Sequence, residues 1–367
     1  MKNIAMIGVG AISGIYLKNL TQMFSEVKLI GVCDLIRERA ENAQREYNVP
    51  RIYDTMYDAF ADPDVDIVLN LTRPYEHFEV SRQALLAGKH VYSEKPLGAD
   101  FEEGKELVRI AEEKGLMLGG APDTFLGAGI QTCRKLIDDG FIGDVLGAAC
   151  FMIGHGPESW HPDPEFFYKR GGGPMMDMGP YYVTALINLL GGVKGVNGIT
   201  RKSFKQRMIT SKPFAGKIVD VEVPTHVMGN LHFDSGIVGT ILTTFDVYYK
   251  GAPRFEIYGS KGTLFVPDPN TFGGPVRLLR PENGEIVDMP LLFDYKENSR
   301  ALGLADMAKA LETGRPFRAS YQQTRHVLEI LTSFEKSSDM GGAYYALETH
   351  YERFQPMVNC PRHGVLD

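Results

Sequence analysis

Lys2-Asn3-Ile4-Ala5-Met6-Ile7-Gly8-Val9-Gly10-Ala11-Ile12-Ser13-Gly14 delivers a short apolar run straight into a glycine-rich turn. Lys2 to Ile7 reads as a strand, and a helix follows through about Phe24. Strand, turn and helix in that order are the setting of a pyrophosphate-binding fingerprint. Gly8 permits the tight turn, and Gly10 lets the backbone approach phosphate oxygens. Ala11 and Ile12 lie where the helix N-terminus offers free N–H groups and the positive end of its dipole. Ser13 occupies the third glycine position; it is small enough to keep helix and strand close.

The second strand, Val27 to Cys33, ends at Asp34. An acid about 20 residues beyond the glycine turn accepts hydrogen bonds from ribose hydroxyls and repels a 2′-phosphate. NAD is therefore favoured, while Arg37 and Arg39 nearby keep NADP open. The alternation continues with helical Ala40–Tyr47 and Tyr57–Phe60, a strand over Asp66–Leu71, and a helix ending at Leu86. Val91-Tyr92 forms the next strand, Phe101–Lys114 a helix, and Leu116–Leu118 a last strand. Strands alternating with helices imply a parallel, doubly wound sheet. Asn70, Thr72 and Pro74 should line the cofactor cleft at a strand end. His77 is either a ligand contact or a satisfied residue at a helix start. Glu94-Lys95-Pro96 follows the fifth strand, and a lysine there points into the ligand crevice. Pro96 stiffens the backbone around it.

The pattern changes after Pro122. A helix over Ile130–Asp139 precedes a strand over Asp144–Met152. A loop with Glu158, Trp160, His161 and Tyr168 follows. Gly171-Gly172-Gly173-Pro174 then opens a helix to Leu190 that carries Asp177 and Tyr181. Four residues apart, these two share one helical face and form a candidate proton-handling pair. Val219–Phe233, Ile237–Tyr248, Arg254–Tyr258 and Thr263–Val266 alternate as a mostly antiparallel sheet. Leu302–Thr313 and Gln322–Ser338 read as late helices. The chain thus divides into a nucleotide-binding domain over 1–122 and a substrate-binding and oligomerisation domain over 123–367.

Bulk properties narrow the function. A net charge of -7 disfavours nucleic acid and anionic membranes. No apolar run approaches the ~20 residues of a membrane span, and the early strand leaves no room for a signal peptide. Cytoplasmic location is the simplest expectation. Cys33, Cys133, Cys150 and Cys360 have no metal-ligand or redox-motif spacing, so neither a metal site nor a disulfide framework is expected.

With these residues placed, the chain resembles the Gfo/Idh/MocA oxidoreductases across nearly its whole length. The likeness rests on Gly8-Val9-Gly10, Asp34, Thr72 with Pro74 and His77, and Glu94-Lys95-Pro96. It extends through Gly140-Phe141-Ile142-Gly143-Asp144-Val145 and Gly171-Gly172-Gly173-Pro174-Met175-Met176-Asp177-Met178-Gly179. It implies an α/β N-terminal Rossmann domain and an α+β C-terminal domain with a large, mostly antiparallel open sheet. It also implies hydride transfer between NAD(P) and a secondary alcohol or ketone of a sugar, polyol or glycoside, the ring 3-hydroxyl among the candidates. Lys95 and Asp177 match positions that flank the substrate hydroxyl. Tyr181 stands where many members, inositol dehydrogenases included, carry histidine, which resembles the branches with a tyrosine acid/base.

The resemblance further implies a dimer, tetramer or larger homo-oligomer through the open sheet, and leaves open a tightly bound cofactor recycled in place. From the residues themselves, Trp160 and His161 could bind sugar by stacking and hydrogen bonding. Two other readings stay open: an NAD-dependent glycosidase working by transient oxidation and elimination, and a non-catalytic NAD-binding regulator.

Overall fold

The computed structural model describes residues 1–251, 253–282, 284–358 and 366; Cys360 lies outside them. The first lobe runs β1 (Lys2–Ile7), α1 (Ser13–Gln22), β2 (Val27–Cys33), α2 (Arg37–Tyr47), β3 (Arg51–Ile52), α3 (Met56–Ala61), β4 (Ile67–Asn70), α4 (His77–Leu86), β5 (His90–Ser93), α5 (Phe101–Lys114) and β6 (Leu118–Gly120). The six strands are parallel in the order β3-β2-β1-β4-β5-β6. Helices cover both faces, so the central strands are continuously apolar and Ile4, Ala5, Met6, Ile67, Val68 and Leu69 are fully buried. Strand order reverses between β1 and β4, and that switch opens a crevice at their carboxyl ends. The α/β expectation for this lobe therefore holds.

The second lobe continues through α6 (Ala128–Asp138), β7 (Val145–Ile153), α7 (Gly173–Asp177), α8 (Gly179–Leu190), β8 (Val193–Arg201), β9 (Gln206–Met208), β10 (Ile218–Asp220), β11 (His226–Phe233), β12 (Val238–Thr244), β13 (Arg254–Gly259), β14 (Gly262–Phe265), β15 (Val276–Leu279), β16 (Ile286–Met289), α9 (Leu302–Thr313), α10 (Tyr321–Asp339) and β17 (Tyr345–Ala346). Nine strands form one sheet in the order β16-β15-β14-β13-β7-β12-β11-β8-β17. Every pairing is antiparallel except β7 with β12. Along β11, Val227, Leu231 and Phe233 point to the core, while Met228 stands 47% exposed on the other face. That face also exposes Ile199 and Val238. The sheet is one-sided, as antiparallel sheets often are.

The late helices return to the border between the lobes. Gly119 on β6 bridges Ser320, just before α10. Buried Asn19 of α1 donates to the carbonyls of Asn298 and Arg300, at 2.9 and 2.8 Å. Asp123 accepts from Gly303 N–H at 3.0 Å and so satisfies an orphan donor at the start of α9. Burial raises the Asp123 carboxyl to about 6, against the pull of that N–H.

Four expected elements differ. The strand expected at Leu116–Leu118 lies at Leu118–Gly120 instead, because Leu116 N–H still closes the end of α5 on Ala111 O at 2.8 Å. The helix expected to run on to Leu190 is two helices. Pro180 has no N–H with which to bond back to Met176, so the ladder stops at Met178 and restarts. Val219–Phe233 divides at Pro224, and β10 pairs only with β9 as a separate hairpin. The strand expected over Ile237–Tyr248 ends at Thr244. The sequence pattern also passes over β8, whose glycines dilute its alternation. A Cβ on Gly195 would meet the Tyr344 ring at 2.3 Å, and one on Gly198 would meet the Met228 carbonyl at 2.6 Å.

Gly8 is the least replaceable turn residue. Its φ is +95°, and an added Cβ would sit 2.7 Å from Leu71 O, just past the end of β4. Gly8→Ala should cost about 1–3 kcal/mol of stability, read as a lower denaturant midpoint. An unchanged midpoint would refute this account of the turn.

Candidate active site

The switch-point crevice begins at the glycine turn. Ser13 N–H bonds back to Gly10 O at 3.2 Å, and no side chain caps the N-terminus of α1. The direction a Cβ on Gly10 would take is open for 4 Å, and Ala11 and Ile12 are exposed. An uncapped, unobstructed helix start is a cradle for an anionic diphosphate. Asp34 stands beside it. One carboxylate oxygen accepts Val9 N–H at 2.7 Å, and the other accepts Ile36 N–H at 2.8 Å. Each oxygen keeps a further lone pair for a ribose hydroxyl. Arg37 turns away to Asp54 and Glu41, while Arg39 lies 4.0 Å from Asp34. The chain's own residues thus fit a dinucleotide.

At the end of β4 the side chains shape the loop rather than reach into it. Asn70 is fully buried. Its amide donates to His77 O and Ser81 Oγ, both at 3.0 Å, and its oxygen accepts from Thr72 Oγ1 at 2.6 Å and Thr72 N at 3.2 Å. His77 is 1% exposed. Its Nδ1 lies 2.7 Å from Pro96 O and its Nε2 3.0 Å from Thr72 O. Burial lowers its pKa, partly opposed by the Pro96 carbonyl. Neither ring nitrogen is left for a ligand, so of the two readings of His77 the geometry fits the satisfied helix-start residue. A side-chain contact from Asn70 to a cofactor is likewise used up. Thr72 and Pro74 remain half-buried on the cleft wall.

Glu94 is buried after β5. It accepts Tyr16 O–H at 2.8 Å and the N–H of Lys95 at 3.0 Å. It holds α1 against the lysine turn. Lys95 then crosses to the second lobe. Its Nζ donates to Asp177 O at 2.6 Å and to Asp177 Oδ1 at 2.7 Å. The ammonium also lies 5.1 Å from the centre of the Tyr181 ring. Although α7 and α8 are separate helices, they bring Asp177 and Tyr181 together at this one cation. Burial disfavours the lysine charge, but Asp177, then Tyr181 and Glu94, outweigh it and hold the pKa above the ordinary lysine value.

Tyr181 is 7% exposed, and burial raises its pKa. The Lys95 ammonium pulls it back down, Glu94 adds to the rise, and the Arg300 guanidinium again lowers it. Arg300 is fixed in turn by Asn270 Oδ1 at 2.7 Å and Asn298 Oδ1 at 2.8 Å. The sequence pattern does not single out Arg300. It lies more than a hundred residues from Tyr181 in a polar run before α9, and non-local contacts, from Asn19 to its backbone carbonyl and from Asn270 to its side chain, hold it here.

The Trp160–His161 loop forms another wall. Trp160 is 67% exposed and packs edge-on against His161, with ring centres 5.5 Å apart. His161 Nδ1 accepts Asp163 N–H at 3.0 Å, which leaves the proton on Nε2. Burial lowers its pKa, opposed by Asp163 and by the carboxylate of Asp177. Arg73 at the β4 end pairs with Asp163 at 2.8 Å and ties this loop to the first lobe. Among the described residues, no group of three or more His, Cys, Asp or Glu could hold a metal ion. No helix among them is long and apolar enough to cross a membrane.

A nucleotide lobe whose switch-point crevice abuts a one-sided sheet domain is the architecture of a two-domain, dinucleotide-dependent oxidoreductase. Residues 2–120 match the family described as oxidoreductase family, NAD-binding Rossmann fold, and residues 130–265 match the GFO/IDH/MocA C-terminal domain. The chain belongs to the GFO/IDH/MocA oxidoreductases, and it is an NAD(P)-dependent enzyme.

Among its relatives is scyllo-inositol 2-dehydrogenase (NAD(+)) of Bacillus subtilis, 26% identical over 71% of this chain and 72% of that protein. Another is D-xylose dehydrogenase of Paenarthrobacter nicotinovorans, 31% identical over 68% of this chain and 66% of that one. Among solved structures, an NAD-binding oxidoreductase from Klebsiella pneumoniae superposes with a TM-score of 0.81 at 19% identity, covering 94% of this chain and 98% of that one. Levoglucosan dehydrogenase in complex with NADH gives 0.79 at 19% identity, covering 95% and 99%. At that identity the likeness is one of fold.

Asp34→Ser should weaken NAD binding about tenfold and tighten NADP binding, because one ribose acceptor and one negative charge are lost. Calorimetric titration with both nucleotides checks this. An unchanged NAD/NADP ratio would show that Asp34 does not set the preference.

Proposed function

We propose that this enzyme oxidises a secondary hydroxyl of a neutral sugar, polyol or glycoside, or reduces the matching ketone, with NAD as the favoured cofactor. The single observation that carries the reading is the Lys95 ammonium, held by Asp177 at 2.6 and 2.7 Å and set 5.1 Å from the Tyr181 ring centre. The family membership and its inositol and xylose dehydrogenase relatives support the substrate class. The exposed C-terminal sheet face, with Ile199 and Met228 uncovered, supports a homo-oligomer joined through that face.

Bound nicotinamide supplies a hydride acceptor at the crevice. The protein's part is to place the substrate carbinol and to take its hydroxyl proton. Tyr181 is the base in the oxidative direction and the acid in the reverse. A phenol with a free pKa of ~10 is a weak base near neutrality, and burial makes it weaker. The cations Lys95 and Arg300 offset that by favouring phenolate. Two of the three N–H groups of Lys95 are committed to Asp177, and the third addresses the substrate oxygen. Asp177 fixes the ammonium and orients the same hydroxyl. His161 Nε2–H and the Trp160 ring bind neighbouring parts of the sugar.

Lys95→Met and Tyr181→Phe should each lower kcat by about 100-fold or more while nucleotide affinity persists. Steady-state rates and nucleotide titration measure the two effects. Near-wild-type rates in both variants would overturn these roles. A panel of free sugars, inositols and glycosides tests the substrate class, and release of an aglycone without net NADH would favour the glycosidase reading instead.

Arg300 has its own signature. Removing it in Arg300→Met leaves burial less opposed, so the phenol pKa rises. The pH at which oxidative kcat/KM reaches half its plateau should move upward. Arg300→Lys, which keeps the charge, should restore part of the shift. A lower rate with an unmoved pH profile would mean that Arg300 acts only through packing.

A further inference from the structure

Outside the lysine centre, the second lobe holds a built cavity of about 600 Å³. Three segments line it: the loop after β7 (His155, Glu158, Ser159), the β9–β10 hairpin with its approach (Phe204, Gln206) and Tyr248 beyond β12. Buried Arg207 binds all three together. It pairs with Glu158 and, at 2.9 Å, with Asp246. It also donates to the carbonyls of His155 and Phe245. A buried acid–guanidinium–acid triad carries a large desolvation cost, which this set of hydrogen bonds offsets. The result is a fixed wall rather than a loose gap between loops.

Its surface has two characters. Flat apolar faces come from Tyr248, 84% exposed and stacked on His155 at 3.6 Å, and from Phe204, 46% exposed with Arg207 5.3 Å from its ring centre. Polar groups stand between them: the Ser159 hydroxyl, the Gln206 amide, which gives one N–H to Asp220 at 2.8 Å and keeps the other, the Thr210 hydroxyl, which donates to Glu158 O at 3.2 Å and keeps its lone pairs, and His155. The buried Nδ1 of His155 has no hydrogen-bond partner among the described residues. Two carboxylates against one guanidinium give the wall a net negative charge, which disfavours an anion. Ring faces interleaved with neutral hydrogen-bonding groups suit a neutral polyhydroxylated ring, and the volume lies within the ~300–1,000 Å³ of small-ligand sites. The cavity also adjoins the reaction centre along the chain. Glu158 and Ser159 lead directly into Trp160 and His161, and Ser211, next to the lining residue Thr210, donates its hydroxyl to His161 O.

We propose that this cavity is a second saccharide subsite, which takes a sugar ring joined to the ring held at Lys95, Asp177 and Tyr181. The natural substrate is then a disaccharide or larger glycoside rather than a free monosaccharide or inositol. The inference rests on the sugar-oxidation reading above and selects among its substrates.

Trp160 is the sole tryptophan, so its fluorescence reports on the shared loop without any turnover. The full-length protein with NAD is titrated with cellobiose, maltose and trehalose, and with the methyl glucosides as single-ring controls. The same titrations use Lys95→Met, Phe204→Ala and Tyr248→Ala. At least one disaccharide should bind about tenfold tighter than its single-ring control. Each aromatic truncation should remove most of that ratio. In turnover, the disaccharide preference in kcat/KM should fall about tenfold, through KM.

Disaccharide binding that persists in Lys95→Met and is lost in Phe204→Ala supports the subsite even if no sugar is oxidised, in which case only the oxidation reading fails. Equal affinity for one ring and two across the panel overturns the subsite. Truncations that change the solution mass of the oligomer without changing the sugar ratio also overturn it, and would mark the cavity as a subunit contact.

Discussion

The Lys95–Asp177 clamp is the contact on which the rest of the arrangement depends. It joins the last turn of a nucleotide lobe strand to the end of a second-lobe helix, through both a backbone carbonyl and a carboxylate oxygen. Neither lobe holds the site alone. The first supplies a cradle open to an anionic nucleotide and a lysine at the crevice rim. The second supplies the carboxylate and a buried phenol. Because the ammonium is largely withdrawn from water, its charge is sustained by the groups that face it, Asp177 first among them. The charge state of the centre and the mutual placement of the lobes are thus one constraint.

The supporting contacts carry the same logic outward. Glu94 is held by Tyr16 of the glycine-turn helix, so the helix that receives the nucleotide also fixes the residue before Lys95. The His77 ring sits between the carbonyls of Thr72 and Pro96, which belong to the loops after neighbouring strands, and its one N–H donates to one of them. Asn19 holds the segment that carries Arg300. A nucleotide settling on the first turn would therefore meet a scaffold already connected to the phenol. Burial and the paired cations act on Tyr181 in opposite senses, which keeps a residue of high intrinsic pKa within reach of proton transfer.

The nucleotide lobe was largely legible in sequence because its signals are local. An apolar run, two glycines and an acid at fixed separation specify a strand, a turn and a strand end, and the boundaries of β2 and α5 fall where the pattern puts them. Lys95, Asp177 and Tyr181 were also readable, and they do converge. The reason first given for the last two, a shared helix face, does not hold, since Pro180 interrupts the ladder. What stayed hidden is non-local. Arg300 depends on a contact from α1, the role of Asp123 on a helix start some 180 residues away, and β8 on glycines that make room for rings elsewhere in the chain. His77 and Asn70 illustrate the converse. Polar residues beside a cleft look like ligand contacts until their partners are seen to lie within the protein itself.

The break at Met178 has a consequence for how such an enzyme can diversify. With Asp177 closing α7 and Tyr181 in the first turn of α8, the carboxylate that anchors the cation and the group that exchanges the proton ride on two helical segments that meet at Met178. A continuous helix would bind their rotations rigidly together. Here the proton-handling position can change its chemistry, or tilt to suit a differently shaped alcohol, while the anchor stays put. Selectivity and reactivity become independently adjustable parts of one centre.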